Sequence, residues 1–391
     1  MSWDFDVAIV GGGPAGTSTG LHLVRREGLP PSRVVLLEKA LHPRDKPCAG
    51  AVSDWGLDAL AMLGLSMEVP HVRMRALRVV GADRWAEHCG ALGVVVRRAP
   101  FDASLWNAAR RDGVVALDGE PLVALARCPG GFRLTTSKRV LSVRLLAACD
   151  GVSSLVRRLL GLRERSRRGH LYVLDGPATP AEDALRAGTC VFDLRVADSG
   201  VQGYVWSFPT PGGATPTVNR GIYHANRTPR RSLKRDLLDA LGYQGIAPDG
   251  VRMRAYATRP YVPGAPLALW RAALVGEAAG IDATTGEGIA QAIVMGGIAA
   301  RWLALAARTG EGNLDGYEDE VRRSRVGTRL AQSAWLSQRV YGPAGEPWRR
   351  WLAGDDRACE AGARWYAGEA IGWALKARLG LSLAAKLVSS L

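Results

Sequence analysis

Val7-Ala8-Ile9-Val10-Gly11-Gly12-Gly13-Pro14-Ala15-Gly16 is the stretch that decides the fold, and Val34-Val35-Leu36-Leu37-Glu38 completes its meaning. The first four residues form a buried strand, and the glycines fall at its junction with a helix. Gly11 permits the tight turn, Gly13 lets the backbone approach a pyrophosphate, and Gly16 lets the helix pack closely on the sheet. Pro14 and Ala15 lie inside the same phosphate-facing turn. The helix amino end offers unpaired N–H groups and a partial positive charge to phosphates. Glu38 closes the second strand about 20 residues past the last glycine, where an acid accepts hydrogen bonds from an adenosine ribose; Lys39 follows it. A glycine-rich chain produces glycine clusters by chance, but strand, glycines, helix and acid in this order define a dinucleotide-binding unit.

With 391 residues, 47% of them hydrophobic, the chain supports a large core and more than one packed lobe. It opens directly on strand-like Phe5–Val10, with no basic and apolar leader before it, and no uninterrupted apolar run reaches the roughly 20 residues that span a bilayer. A cytoplasmic protein without a transmembrane segment is the expectation. The six cysteines lie far apart, with no C-x-x-C pair and no histidine cluster, which excludes a zinc site and a disulfide framework as readings. Net charge is +14. The clusters 163–168 and 230–235 suit an acidic partner protein or an anionic membrane surface touched peripherally, or are plain solvated surface. No nucleic-acid module accompanies them.

The pattern divides the chain into a discontinuous nucleotide-binding unit (1–165 and 266–310), an antiparallel-sheet unit (166–265) and a C-terminal helical segment (311–391). In the first unit, 55–63 and 101–111 read as helices, and 75–80, 93–97, 114–117, 121–126, 131–136 and 144–148 as strands. In the second, strands at 188–196, 201–208 and 217–224 alternate with Gly, Pro and Asp turns, with a helix at 232–241. The chain then returns through a strand at 269–275 and a helix beginning near Gly286.

Three further segments carry a family resemblance. Cys149-Asp150-Gly151 ends a strand in an Asp-Gly turn. Val275-Gly276-Glu277-Ala278-Ala279-Gly280, with Thr285-Gly286-Glu287-Gly288-Ile289, is a second strand–loop–helix. Arg98-Ala99-Pro100-Phe101-Asp102 opens a helix between them. With the glycine loop, these resemble the FAD-dependent oxidoreductases of the para-hydroxybenzoate hydroxylase fold. Arg44-Asp45-Lys46-Pro47-Cys48-Ala49-Gly50 is similar to the R-x-K-x-C-G-G loop of the geranylgeranyl reductase family, and Tyr204-Val205-Trp206-Ser207-Phe208-Pro209 to its Y-x-W-x-F-P strand. The resemblance spans about 7–300. It implies an α/β fold in which an FAD-binding Rossmann-like lobe carries an inserted antiparallel β-sheet substrate domain and C-terminal helices.

The same resemblance implies roles. Gly11, Gly13 and Gly16 face the FAD pyrophosphate, Glu38 the adenosine ribose and Arg98 the ADP side. Asp150 and Gly151 support the nucleotide, and Gly276 and Glu277 stand at the ribityl and pyrophosphate region. Gly286, Gly288 and Ile289 bring N–H groups to the pyrimidine edge of the flavin, where they stabilise charge on its reduced form. Glu277 replaces the usual Asp, Ala49 a glycine and Thr284 a proline; the last change is expected to loosen the loop. Arg44 and Lys46 either lower the pKa of Cys48 or bind phosphate. Cys48 itself is a proton donor for alkene reduction or a packing thiol. Tyr204 and Trp206 point to one face of their strand, either lining a substrate cavity or filling the sheet interface. Tyr223 and His224 are weaker candidates. The C-terminal tryptophans pack as a core and lid or wall an apolar pocket, and the leucine-rich tail 376–391 docks on the protein or on a membrane.

A second G-x-G-x-x-G is absent, so NAD(P)H is expected to act as a transient electron donor. Two reactions fit: reduction of an alkene in a hydrophobic substrate, which the loop motifs favour, or hydroxylation of an aromatic ring, free or in a partner protein, through a flavin C4a-hydroperoxide. A non-catalytic flavoprotein is the third reading. The W-x-W-x-I-P signature of halogenases is absent.

Overall fold

The computed structural model describes all residues except 1, 164–166, 180–181, 213–215, 226–227, 229–231, 248–250, 372–377, 381 and 383–391. Parts of both basic clusters, Trp373 and most of the tail 376–391 therefore lie outside the described residues. The strands are β1 (Phe5–Val10), β2 (Val34–Leu37), β3 (Ala51–Ser53), β4 (His71–Val80), β5 (Trp85–Val96), β6 (Val115–Leu117), β7 (Leu122–Cys128), β8 (Gly131–Thr136), β9 (Val140–Ala148), β10 (Gly169–Pro177), β11 (Thr189–Asp193), β12 (Gly203–Thr210), β13 (Thr217–His224), β14 (Arg254–Thr258), β15 (Ala268–Leu269) and β16 (Ala272–Leu274). The helices are α1 (Pro14–Arg25), α2 (Asp54–Ala61), α3 (Arg98–Arg111), α4 (Leu155–Leu159), α5 (Asp183–Arg186), α6 (Leu233–Tyr243), α7 (Ile289–Thr309), α8 (Asp315–Arg323), α9 (Arg325–Val340), α10 (Glu346–Gly354) and α11 (Asp356–Ala367).

The first sheet runs β15-β16-β9-β1-β2-β6, with the β7–β8 hairpin joined to β9. From β16 to β6 the pairing is parallel. Parallel neighbours need crossover connections, so loops from distant parts of the chain collect at one edge of the sheet. The Gly11 N–H donates to Leu37 O at 2.8 Å, the Cys149 N–H to Val10 O at 2.8 Å and the Val275 N–H to Ala148 O at 2.9 Å. The three turns thus leave the sheet side by side. Helices α1 and α7 pack on each other closely: Ser18 Oγ donates to Ile293 O at 2.8 Å, and a Cβ on Gly296 would lie 2.8 Å from that hydroxyl. α7 is long and apolar enough to cross a membrane, yet 67% of its most apolar window is buried inside the protein.

The second sheet runs β14-β10-β13-β12-β11-β4-β5-β3 and is antiparallel except at β4–β11. Strands β3, β4 and β5 therefore belong to it, whereas the sequence pattern places 51–96 in the nucleotide-binding unit. Alternation along β4 predicts a half-buried strand but carries no information about which sheet it joins. The strand expected at 269–275 is a hairpin instead, turned at Arg271 with φ 58, a conformation that a residue other than glycine rarely signals. Likewise α7 begins at Ile289 rather than near Gly286, because Gly286 has φ 70 and keeps the loop going.

Candidate active site

At the head of α1, steric space rather than side chains forms the cradle. Gly11 has φ 111, and a Cβ there would lie 2.3 Å from Cys149 O; one on Gly16 would lie 1.8 Å from Gly11 O. Gly13 meets only the Arg44 guanidinium, at 3.2 Å, and no side chain caps the helix. Its amino end is therefore open to an anion. At the neighbouring strand end, the Glu38 carboxylate accepts the Gly12 N–H at 2.9 Å and the Ala40 N–H at 3.1 Å, with Arg44 Nε at 3.2 Å. Arg44 also pairs with Asp102 at 3.1 Å, and Asp102 takes Arg98 through two bonds of 2.8 Å. Burial opposes the charge on Asp102, but Arg98, Arg44 and Lys46 outweigh it and hold the carboxyl below its usual range.

Asp150 accepts the Val156 N–H at 3.0 Å through one oxygen, while Oδ1 is buried with no partner. Burial raises its pKa. Gly276, at φ 61, lets this turn close on α1: a Cβ there would lie 2.8 Å from that of Ala15. The Glu277 carboxylate pairs with Lys46 Nζ at 3.1 Å, and Lys46 also lies 5.1 Å from the Tyr256 ring centre.

The loop before α7 is more firmly held than its sequence predicts. Asp282 Oδ1 accepts the N–H groups of Thr284 and Thr285 at 2.7 Å each and Ser333 Oγ at 2.6 Å. Thr284 Oγ1 donates to Ser333 O at 2.8 Å. The expected loosening at Thr284 is thereby corrected: its hydroxyl, which proline lacks, ties the loop to α9. Burial pushes the neighbouring Glu287 up to about 7, with its Oε1 accepting the Ala290 N–H at 3.1 Å.

These groups meet in one cavity of about 460 Å³. Gly11, Gly13, Pro14, Ala15, Glu38, Lys39, Arg44, Arg98, Asp150, Gly151 and Glu277 line one part, and Gly286, Gly288, Ile289, Cys48, Ala49, Tyr204 and Trp206 another. Gly16 and Gly276 are not in the lining and serve close packing behind it. The lining also holds a group of aromatic rings, with Phe192, Phe208, Tyr223, Tyr256 and Tyr366 joining Tyr204 and Trp206, while Cys48 packs against the aliphatic cluster of Val52, Leu60, Val94, Val96 and Ile289. Trp206 Nε1 donates to Asn219 Oδ1 at 2.8 Å, so its polar atom is already satisfied within the sheet. Cys48 Sγ accepts the Gly50 N–H at 3.3 Å and lies within hydrogen-bonding reach of Arg98.

His224 is 1% exposed and bonded through its ring nitrogens to Gln202 N at 2.9 Å and Thr228 O at 3.1 Å; it does not line the cavity. The described C-terminal tryptophans also stay out of the wall. Trp335, Trp348 and Trp351 stack edge to face at 5.7 and 6.1 Å, and Trp365 packs on Arg329, whose other side faces Trp55. That segment reaches the cavity through Tyr366 instead. Sequence reasoning also missed Asp282, Glu287 and Ser333. Glu287 was visible inside the Gly-Glu-Gly motif, but nothing in the sequence ties Ser333 to a loop 50 residues away. Among the described residues, no three His, Cys, Asp or Glu side chains group as a metal site.

The uncapped glycine cradle at α1, the glycine turn before α7, the acid at the end of β2 and the partnerless Asp150 oxygen fit a flavin dinucleotide in this cavity. Fold and cleft together are those of an FAD-dependent oxidoreductase, and the chain is similar to reductases of this kind. It is 27% identical over 325 residues to the menaquinone reductase of Mycobacterium tuberculosis, covering 76% of each chain. It is also 27% identical over 357 residues to the digeranylgeranylglycerophospholipid reductase of Methanothrix thermoacetophila, covering 85% of this chain and 86% of the relative. Among solved structures, a geranylgeranyl bacteriochlorophyll reductase-like protein from Thermoplasma acidophilum superposes with a TM-score of 0.70 at 22% identity, covering 88% and 90% of the two chains. A halogenase in complex with FAD superposes at 0.71 with 16% identity, covering 99% and 92%. These last two speak to the fold. No family model matches the chain.

Proposed function

We propose that this oxidoreductase reduces a carbon–carbon double bond in a hydrophobic, isoprenoid-like substrate. The observation that carries the reading is an aromatic wall in the cavity that Cys48 also lines: Phe192, Tyr204, Trp206, Phe208, Tyr223 and Tyr366 contribute to it. Such a wall buries an apolar chain and excludes water from the reacting carbons. The names of the two reductase relatives support a lipid-like or quinone-like substrate class.

Bound FAD, once reduced by a transiently docked NAD(P)H or a similar donor, supplies the hydride equivalent. Gly11, Gly13 and the α1 amino end hold its pyrophosphate, Glu38 its ribose, and the α7 amino end its pyrimidine edge. Cys48 Sγ delivers the proton to the second alkene carbon, so that one double bond gains two hydrogens and the sulfur is left as thiolate. The Gly50 N–H, 3.3 Å from the sulfur, orients the Cys48 side chain, and solvent returns the proton. Tyr204 and Trp206 orient the substrate against this thiol. The net charge of +14 favours encounter with an anionic donor or an anionic membrane surface that presents the substrate.

The test is single-turnover reduction of a polyprenyl substrate by the reduced holoenzyme without oxygen. The expected product carries two added hydrogens, and Cys48→Ala slows its formation about 100-fold, the usual worth of a positioned proton donor. A reaction that consumes substrate only when oxygen is admitted overturns the proposal in favour of hydroxylation.

A further inference from the structure

Three tyrosines from three different elements donate to three successive carbonyls of the loop before α7. Tyr223 Oη of β13 bonds Ala283 O at 3.1 Å, Tyr341 Oη at the end of α9 bonds Thr284 O at 2.8 Å, and Tyr204 Oη of β12 bonds Thr285 O. From the other side, Ser333 Oγ accepts the N–H groups of Ala283 at 2.9 Å and Thr284 at 3.1 Å while bonding Asp282. Ser333 is fully buried and Tyr341 is 5% exposed. Neither lines the cavity, so neither touches a cofactor or substrate within it.

A loop of this length is ordinarily a mobile connection. Here its carbonyls and amides are committed in opposite directions, which leaves its path no freedom. The path ends at Gly288 and the amino end of α7, where Glu287 Oε1 takes the Ala290 N–H and Gly288 and Ile289, with their N–H groups, line the cavity. Donors fixed in place before charge develops stabilise an anion more than donors that must reorient. A negative flavin is favoured over a neutral one in proportion to how rigidly these N–H groups are held.

We propose that Ser333 and Tyr341 are positioning residues through which the C-terminal helices set the reduction potential of the flavin. The inference rests on the FAD assignment alone and is independent of the substrate. In the measurement, FAD-loaded Ser333→Ala and Tyr341→Phe are each equilibrated with reference dyes and the midpoint potential is read from the visible spectrum. Each variant is expected to bind reduced flavin about tenfold less well relative to oxidised flavin, a fall of about 30 mV for a two-electron couple. Tyr317→Phe is the control: Tyr317 Oη donates to Leu274 O at 2.6 Å in an equally buried setting away from this loop. It should lower the melting temperature and leave the potential unchanged. Potentials of the two loop variants equal to wild type overturn the proposal, as does an equal fall in Tyr317→Phe. Tyr341→Phe preserves the ring and its packing, so the test survives if Ser333→Ala does not fold.

Discussion

Glu287 shows how one buried side chain couples the site to pH. Its folded pKa of about 7 stands above the ordinary glutamate value of 4.5, because burial disfavours the carboxylate and Asp282 adds like charge. The protonated form is therefore the one that folding favours. Its contribution is fully present below the unfolded pKa and is lost as pH rises through about 7. Glu287→Gln mimics the protonated acid. It is expected to match wild type in thermal stability near pH 4 and to exceed it near pH 8 by up to about 3 kcal/mol. Melting temperatures across that range check the sign; a variant less stable at pH 8 than wild type contradicts it. Cys48, Tyr204 and Trp206 were legible in the sequence because motif and strand alternation name them. Tyr366 was not, since its place on the wall depends on how α11 folds back over β4 and β5.

At the scale of the element, the turn from β1 into α1 separates packing from binding within one motif. A side chain on Gly16 collides with backbone at 1.8 Å, and the strand and helix cannot both stay in place. A side chain on Gly13 meets only the mobile end of Arg44 at 3.2 Å and otherwise projects into the cleft. Gly16→Val is thus expected to give insoluble or unfolded protein, whereas Gly13→Val keeps its fold and loses FAD. Circular dichroism and flavin retention on a desalting column separate the two outcomes; a Gly13→Val protein that retains FAD argues against phosphate binding at this turn. The motif was legible because each glycine answers a local steric demand. The loop before α7 was not, because Thr284 is held by Ser333 and Tyr341, partners that only the return of α9 supplies.

Across the whole molecule, three consecutive residues of the Cys48 loop reach three different places. Arg44 binds Glu38 and Asp102, Asp45 binds Arg254 of the second sheet, and Lys46 binds Glu277. The cleft takes lining residues from both sheets, so a flavin held in it would touch both. FAD at 100 times its dissociation constant is expected to stabilise the protein by about 2.7 kcal/mol, as one upward shift of one cooperative transition. Calorimetry with and without FAD tests this; two transitions of which only one moves would show that the lobes melt independently. By itself the sequence determined the nucleotide-binding strand, its glycine turn and Glu38, because these obey short-range steric and hydrogen-bonding rules written in adjacent residues; the flavin class and the Cys48 loop were legible only through the family resemblance that their motifs carry. The tertiary structure alone decided that β3–β5 join the second sheet, that aromatic rings from β11, β12, β13, β14 and α11 line one cavity with Cys48, and that α9 braces the loop before α7. Those features depend on which surfaces meet across long stretches of chain, and neither strand alternation nor residue spacing encodes the partner.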